Sequence, residues 1–152
     1  MFEWNTTYCI QISGVDGQHQ NLFRIAHELH VAMLAGKAKS VLEEVLSRLL
    51  RYTQVHFGYE ERLMRECHYP QYAEHKAEHE ALTSKVLRFR EEFAAGRVIL
   101  TVALLQFLKE WLETHIAGSD RLYAPYVKDK GASERAGKGL SLVWGKRSRM
   151  KG

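Results

Sequence analysis

Residues Ser40 to Glu66 read SVLEEVLSRLLRYTQVHFGYEERLMRE, and the side chains at Leu42, Leu46, Leu49, Thr53, His56, Glu60 and Leu63 recur at intervals of four and three. That period places them along one face of an α-helix about 40 Å long. A strand would alternate every second residue, and the segment does not. The stripe changes character along its length. Its first half is leucine, which needs other apolar helices to cover it, and its second half carries an imidazole and a carboxylate on the same buried face.

The flanking segments repeat the pattern. Downstream, after His68-Tyr69-Pro70, the stripe is Tyr72, His75, His79, Leu82, Val86, Phe89 and Phe93, ending before Gly96. Upstream, Leu22, Ala26, Leu29 and Met33 form a face that His19 extends by one turn, with Asp16 expected to cap a helix over about 17–34 and Gly36 to close it. A fourth stripe runs from about Leu100 through Leu104, Leu108, Trp111, Leu112 and His115 toward Gly118 and Asp120. Four amphipathic helices on short links predict an all-α fold, an up-down-up-down four-helix bundle.

The first fifteen residues are irregular in pattern and carry Trp4 and Tyr8, so they are expected as an N-terminal arm that packs rings on the bundle. Residues 1–127 form the expected domain. From Lys128 to Gly152 there are eight Lys or Arg against two acids, net +6 of a whole-chain charge of +4, which leaves residues 1–127 at −2 and places the basic character in a flexible C-terminal tail. Its apolar island at Leu140, Leu142, Val143 and Trp144 raises contact with nucleic acid or a membrane surface, but a solvated tail is the expected state. The first residues lack a basic segment followed by an apolar run, and Val98 to Leu105 is too short to span a bilayer. A soluble, cytoplasmic, monomeric protein is expected, with Cys9 and Cys67 unbridged in a reducing compartment.

One histidine on an apolar helical face is ordinarily a core residue bonded to a carbonyl. Number and spacing argue differently here. His56 and Glu60 are four apart, as are His75 and His79, so each pair shares a helical face, and every helix contributes at least one such residue. A carboxylate buried among leucines without a cation costs several kcal/mol, and no Lys or Arg occupies these inward positions. A bound metal ion supplies the missing charge; spacing alone admits iron, zinc or manganese. The remaining histidines do not join. His30 lies about 16 Å along the axis from His19, His27 is turned about 80° away, and His68 falls in a turn.

The segments Asp16-Gly-Gln-His19, His56-Phe-Gly-Tyr-Glu60, His75-Lys-Ala-Glu-His79 and Trp111-Leu-Glu-Thr-His115 followed by Asp120-Arg-Leu-Tyr123 resemble the hemerythrin family, in its bacterial single-domain form, bacteriohemerythrin. The resemblance covers residues 1–127 and says nothing of the tail. It implies two non-haem iron ions joined by an oxo or hydroxo bridge. His75, His79 and His115 would hold one iron, His19 and His56 the other, with Glu60 and Asp120 bridging both. Asp120 stands five residues after His115, about 140° around an ideal α-helix, so its role requires a loosened or π-like turn between them.

Five imidazoles and two bridging carboxylates occupy nine of the twelve positions that two six-coordinate irons offer, and the oxygen bridge occupies two more. One position stays open, on the iron with two histidines. Such a site is expected to bind dioxygen reversibly, for storage, sensing or delivery to an oxygen-consuming enzyme, rather than to act as an enzyme itself. The alternative is a di-iron enzyme acting on peroxide or nitric oxide. Leu22, Trp111 and Leu112, one turn from His19 or His115, are the candidates for lining the oxygen pocket.

Overall fold

The computed structural model describes residues 1–129; the greater part of the expected tail lies outside the described residues. Among the described residues there are four long helices and no strand: α1 (Ser13–Leu34), α2 (Lys39–Glu66), α3 (Tyr72–Ala94) and α4 (Val102–His115). α4 passes into a π-helical turn over Ile116–Asp120 and then into further α-helix over 121–129, unbroken at Val127. The links are short, so consecutive helices run antiparallel; α2 packs between α1 and α3, and α1 also meets α4. No helix among these residues is long and apolar enough to cross a membrane.

Three of the four helices close with the same device. Gly36 (φ 66°), His68 (φ 54°) and Gly96 (φ 75°) each take the left-handed conformation after the last turn. The following amides, of Lys37, Tyr69 and Arg97, bond back to the carbonyls of Ala32, Met64 and Glu92. His68 alone does this with a side chain, and that side chain is exposed. Replacing His68 with Gly should raise the unfolding free energy by about 1 kcal/mol, the ordinary penalty of a left-handed non-glycine residue. Urea denaturation reads the change, and an unaltered midpoint would show the turn to be unstrained.

The start of α1 differs from the sequence expectation. The helix begins at Ser13, and Asp16 caps nothing; its carboxylate instead accepts the amides of Ile10 (2.9 Å) and Gln11 (3.1 Å) in the arm. Gln11 has a positive φ of 62°, and these two bonds fix the bend it makes. Asp16 therefore ties the arm down, which lets Phe2 enter the core and Trp4, Tyr8 and Phe23 form a ring cluster with centroids 5.2–5.6 Å apart. Thr101 is a true cap, accepting from the Leu104 amide. Cys9 and Cys67 form no disulfide.

The buried side chains form two apolar clusters. The larger contains Leu22, Phe57, Leu82, Leu112 and Ile116, and the smaller contains Val15, Met64, Tyr69 and Tyr123. Sequence position alone shows what lies between them. Val15 and Leu22 flank His19 by one turn on either side, and Met64 follows Glu60 by one turn. A polar layer is thus enclosed between two apolar ones, which keeps bulk water from it.

Candidate metal centre

Each helix delivers its polar residues to that layer by its own geometry. His19 comes from the second turn of α1, His56 and Glu60 from successive turns of α2, His75 and His79 from the first two turns of α3, and His115 from the end of α4. Asp120 closes the π-helical turn. The wider turn adds a residue between His115 and Asp120, and so brings Asp120 onto the interior face that an ideal α-helix would turn it from. All seven are buried, and Glu60 and Asp120 have no exposed surface at all.

The donor atoms fall into two groups, each gathered within 4.8 Å. Glu60, His75, His79, His115 and Asp120 form one; His19, His56, Glu60 and Asp120 form the other. The two carboxylates belong to both. Asp120 Oδ1 lies 3.0 Å from the Nε2 atoms of both His75 and His115, and Oδ2 lies 3.0 Å from His19 Nε2. Glu60 Oε1 lies 2.9 Å from His56 Nε2 and 3.5 Å from His79 Nε2.

These contacts are not ordinary hydrogen bonds. His79 Nδ1 sits 2.9 Å from the Glu61 carboxylate and His115 Nδ1 2.8 Å from that of Glu78, so in each neutral ring the proton belongs on Nδ1 and the lone pair on Nε2. Yet the Nε2 atoms of His75 and His115 each stand 3.1 Å from that of His79. His56 repeats the arrangement, with Nδ1 on the side-chain amide oxygen Oε1 of Gln18 at 2.6 Å and Nε2 facing Glu60. Among the described residues, Glu60 Oε1, both Asp120 oxygens and His19 Nε2 have no hydrogen-bond partner in spite of their close neighbours. The lone pairs converge on shared points instead of on protons. A cation is what such a donor set accommodates.

Protons must supply the balancing charge when no metal does. Burial and Asp120 push the Glu60 carboxyl upward, but His56 and His79 hold it down at about 2. Burial likewise opposes ionisation of Asp120, and His115, His19 and His75 overcome it, keeping that carboxyl well below the usual range. His115 answers in kind. Burial disfavours its charge, yet Asp120 and then Glu60 and Glu78 raise it to about 9.

Several supporting residues carried no periodic signal in the sequence. Gln18, Glu61 and Glu78 each adjoin a ligand-type residue in the chain, yet each orients a histidine of a different helix. Ser119 donates to Glu78 at 2.7 Å, steadying it. Tyr123 is wholly buried and donates to Glu60 Oε2 at 2.5 Å; burial, Glu60 and Asp120 all push its phenol upward, so it remains a donor. Glu61 is the instructive case, for it is turned away from its own helix's stripe and toward the next helix.

Of the three residues expected to line a pocket, the structure treats two alike. Leu22 and Leu112 face a cavity of about 20 Å³ that Leu49, Leu82, Leu108 and Thr53 also line. It lies one helical turn from His19, His56, His79 and His115, and the Thr53 hydroxyl is already bonded to the Leu49 carbonyl at 2.7 Å. Trp111 is not part of that lining. Its ring stacks on His115, with centroids 4.4 Å apart and planes 13° from parallel. His27, His30 and His68 join neither donor group.

The profile of the hemerythrin HHE cation binding domain matches residues 11–127 of this chain. The chain belongs to the hemerythrin family. A bacteriohemerythrin of Stenotrophomonas maltophilia is 37% identical over 125 residues, covering 82% of this chain and 80% of its own. One of Methylococcus capsulatus is 33% identical, covering 72% of this chain and 83% of its own. In three dimensions, a crystal structure of wild-type hemerythrin superposes with a TM-score of 0.78 at 29% identity, over 82% of this chain and 96% of that one. The hemerythrin fold thus accounts for the bundle, and the cation-binding description agrees with the converging lone pairs.

Proposed function

We propose that this protein binds dioxygen reversibly at a pair of non-haem irons, one held by His75, His79 and His115, the other by His19 and His56, with Glu60 and Asp120 bridging. The observation that carries this reading is the inequality of the two donor groups around shared carboxylates, five donors against four. Where one metal lacks a protein ligand that its neighbour has, a coordination position is left for a small molecule. The names of the relatives, bacteriohemerythrin and hemerythrin, support the choice of iron and oxygen. When bound, the iron pair supplies two electrons to dioxygen and takes them back on release.

The chain's own residues then have defined tasks. Gln18, Glu61 and Glu78 fix the imidazole orientations, and Tyr123 fixes one oxygen of Glu60. Leucines on all four helices exclude water beside the centre, and the cavity of about 20 Å³ exceeds the roughly 10–15 Å³ that a single water requires. Water entering there would bring protons into a centre that the apolar lining otherwise keeps dry. Replacing Leu112 with Asn should therefore speed autoxidation while leaving metal content unchanged; equal autoxidation rates would remove this leucine from the pocket.

The test that separates binding from catalysis is to reconstitute the chain with ferrous iron without air, then to cycle it between oxygen and vacuum while recording its visible spectrum. Reversible change over repeated cycles, with no consumption of a reductant, is the expected result. Irreversible bleaching, or steady turnover with peroxide or nitric oxide in the presence of a reductant, would establish the enzymatic alternative instead.

A further inference from the structure

Tyr123 does more than hold Glu60. Its ring lies 5.4 Å from that of His75 on one side and 6.3 Å from that of Tyr69 on the other, and the Tyr69 ring lies 5.1 Å from Tyr126. Tyr123 and Tyr69 are buried in the smaller apolar cluster, whereas Tyr126 is 42% exposed. Three phenols thus run in contact from a bridging carboxylate to the protein surface. Tyrosine is readily oxidised one electron at a time, provided its proton has somewhere to go. Tyr123 has Glu60 Oε2 within 2.5 Å to receive the proton and return it, and Tyr126 has solvent.

We propose that Tyr123, Tyr69 and Tyr126 form a relay that carries oxidising equivalents from the metal pair to the surface when the centre meets hydrogen peroxide. The inference rests on the di-iron reading given above. Hydrogen peroxide is the oxidant: its O–O bond breaks, and two electrons with two protons convert it to two waters. The electrons leave the phenols singly. Tyr123 gives one to the centre as its proton shifts to Glu60, then regains an electron from Tyr69 and its proton from Glu60; the Tyr69 proton moves along its hydrogen bond to Gln71 Oε1 (3.0 Å) and returns when Tyr126 supplies the electron and loses its own proton to water. The first Tyr126 radical takes a hydrogen atom from Tyr126 of a second molecule, the same relay delivers a second electron from the restored Tyr126, and the two Tyr126 radicals couple through one ring carbon each. The net reaction joins two tyrosines and one peroxide into one dityrosine and two waters. Oxidation is thereby moved from the buried ligands to a surface ring.

The test adds hydrogen peroxide to the iron-loaded full-length chain and reads dityrosine fluorescence, the position of the cross-link by mass spectrometry, and the tyrosyl radical signal by electron paramagnetic resonance. The expected product is a dimer linked at Tyr126, absent from the metal-free chain. Tyr126→Phe, at an exposed position, should lose the cross-link. Tyr126→Trp should move the oxidation mark onto the indole. Tyr69→Phe should lose the mark at Tyr126 although Tyr126 itself is intact, a result that a solution oxidant attacking the surface cannot give. An unchanged yield at Tyr126 in Tyr69→Phe, or marks spread over Tyr8, Tyr52 and Tyr59, would overturn the relay. Oxygen cycling of the same variants keeps the two readings apart. Reversible oxygen binding together with marking of Tyr126 that does not depend on Tyr69 sinks the relay alone, Tyr69-dependent marking without reversible binding sinks the oxygen-carrier reading alone, and a chain that takes up no iron sinks both.

Discussion

Asp120→Asn should leave the chain holding one metal ion where the unaltered chain holds two. The Asp120 carboxylate reaches His75 and His115 through one oxygen and His19 through the other, all at 3.0 Å, so it is the group that both donor sets share most evenly. An amide keeps the shape but replaces one oxygen with a donor nitrogen and removes the negative charge. The four-donor group then falls to three, with His19 facing an N–H. Glu61→Gln offers the scale. It disturbs only the partner of His79 Nδ1 and should weaken metal binding by roughly 10–100-fold, as loss of such outer partners does. Asp120→Asn should exceed that and change the stoichiometry itself. Metal analysis after desalting reads both variants, and two ions retained by Asp120→Asn would show that Glu60 alone bridges.

Stripping the metal should make stability depend on pH in the alkaline range. In the metal-free protein His115 titrates at about 9 instead of its usual 6.5, so its contribution is complete below pH 6.5 and is lost as pH rises through 9. The expected loss is on the order of 3 kcal/mol, the same contact that depresses Asp120 being counted once. Glu60 acts in the opposite sense. Held at about 2 against 4.5, it stabilises the fold above pH 4.5 and ceases to do so as pH falls through 2. The metal-free chain should therefore be most stable between about pH 4.5 and 6.5. With metal bound, the cation takes over the balancing role, and the alkaline decline should vanish. Urea unfolding at several pH values, with and without a chelator, measures the difference; parallel curves would mean that no buried proton substitutes for the ion.

The sequence foretold most of this layer because helical period constrains it so strongly. His56, Glu60, His75 and His79 could be placed on interior faces by counting residues, whereas the π-like turn before Asp120 was expected only because the family resemblance gives Asp120 an inward role; the structure has a π-helix over Ile116–Asp120 and a buried Asp120. What escaped was whatever acts between helices. Glu61 and Glu78 lie off their own stripes, and only the packing of α2, α3 and α4 shows that they meet His79 and His115. Asp16 departs from the expected cap for a related reason. Its residue type and position suit a cap, but the chain bends at Gln11 and offers it two unpaired amides first. Trp111 shares the stripe of Leu112, yet a ring that size stacks on His115 in preference to filling a small cavity.

The proposed pair of irons with a single vacant position fixes an oxygen stoichiometry. Its most direct measurement is an anaerobic titration of the ferrous protein with dissolved oxygen, followed by absorption, with iron counted in the same sample. A sharp end point at one dioxygen for every two irons, reversed by vacuum, is the expected result. An end point at one dioxygen per iron, or uptake that continues without an end point, would contradict it.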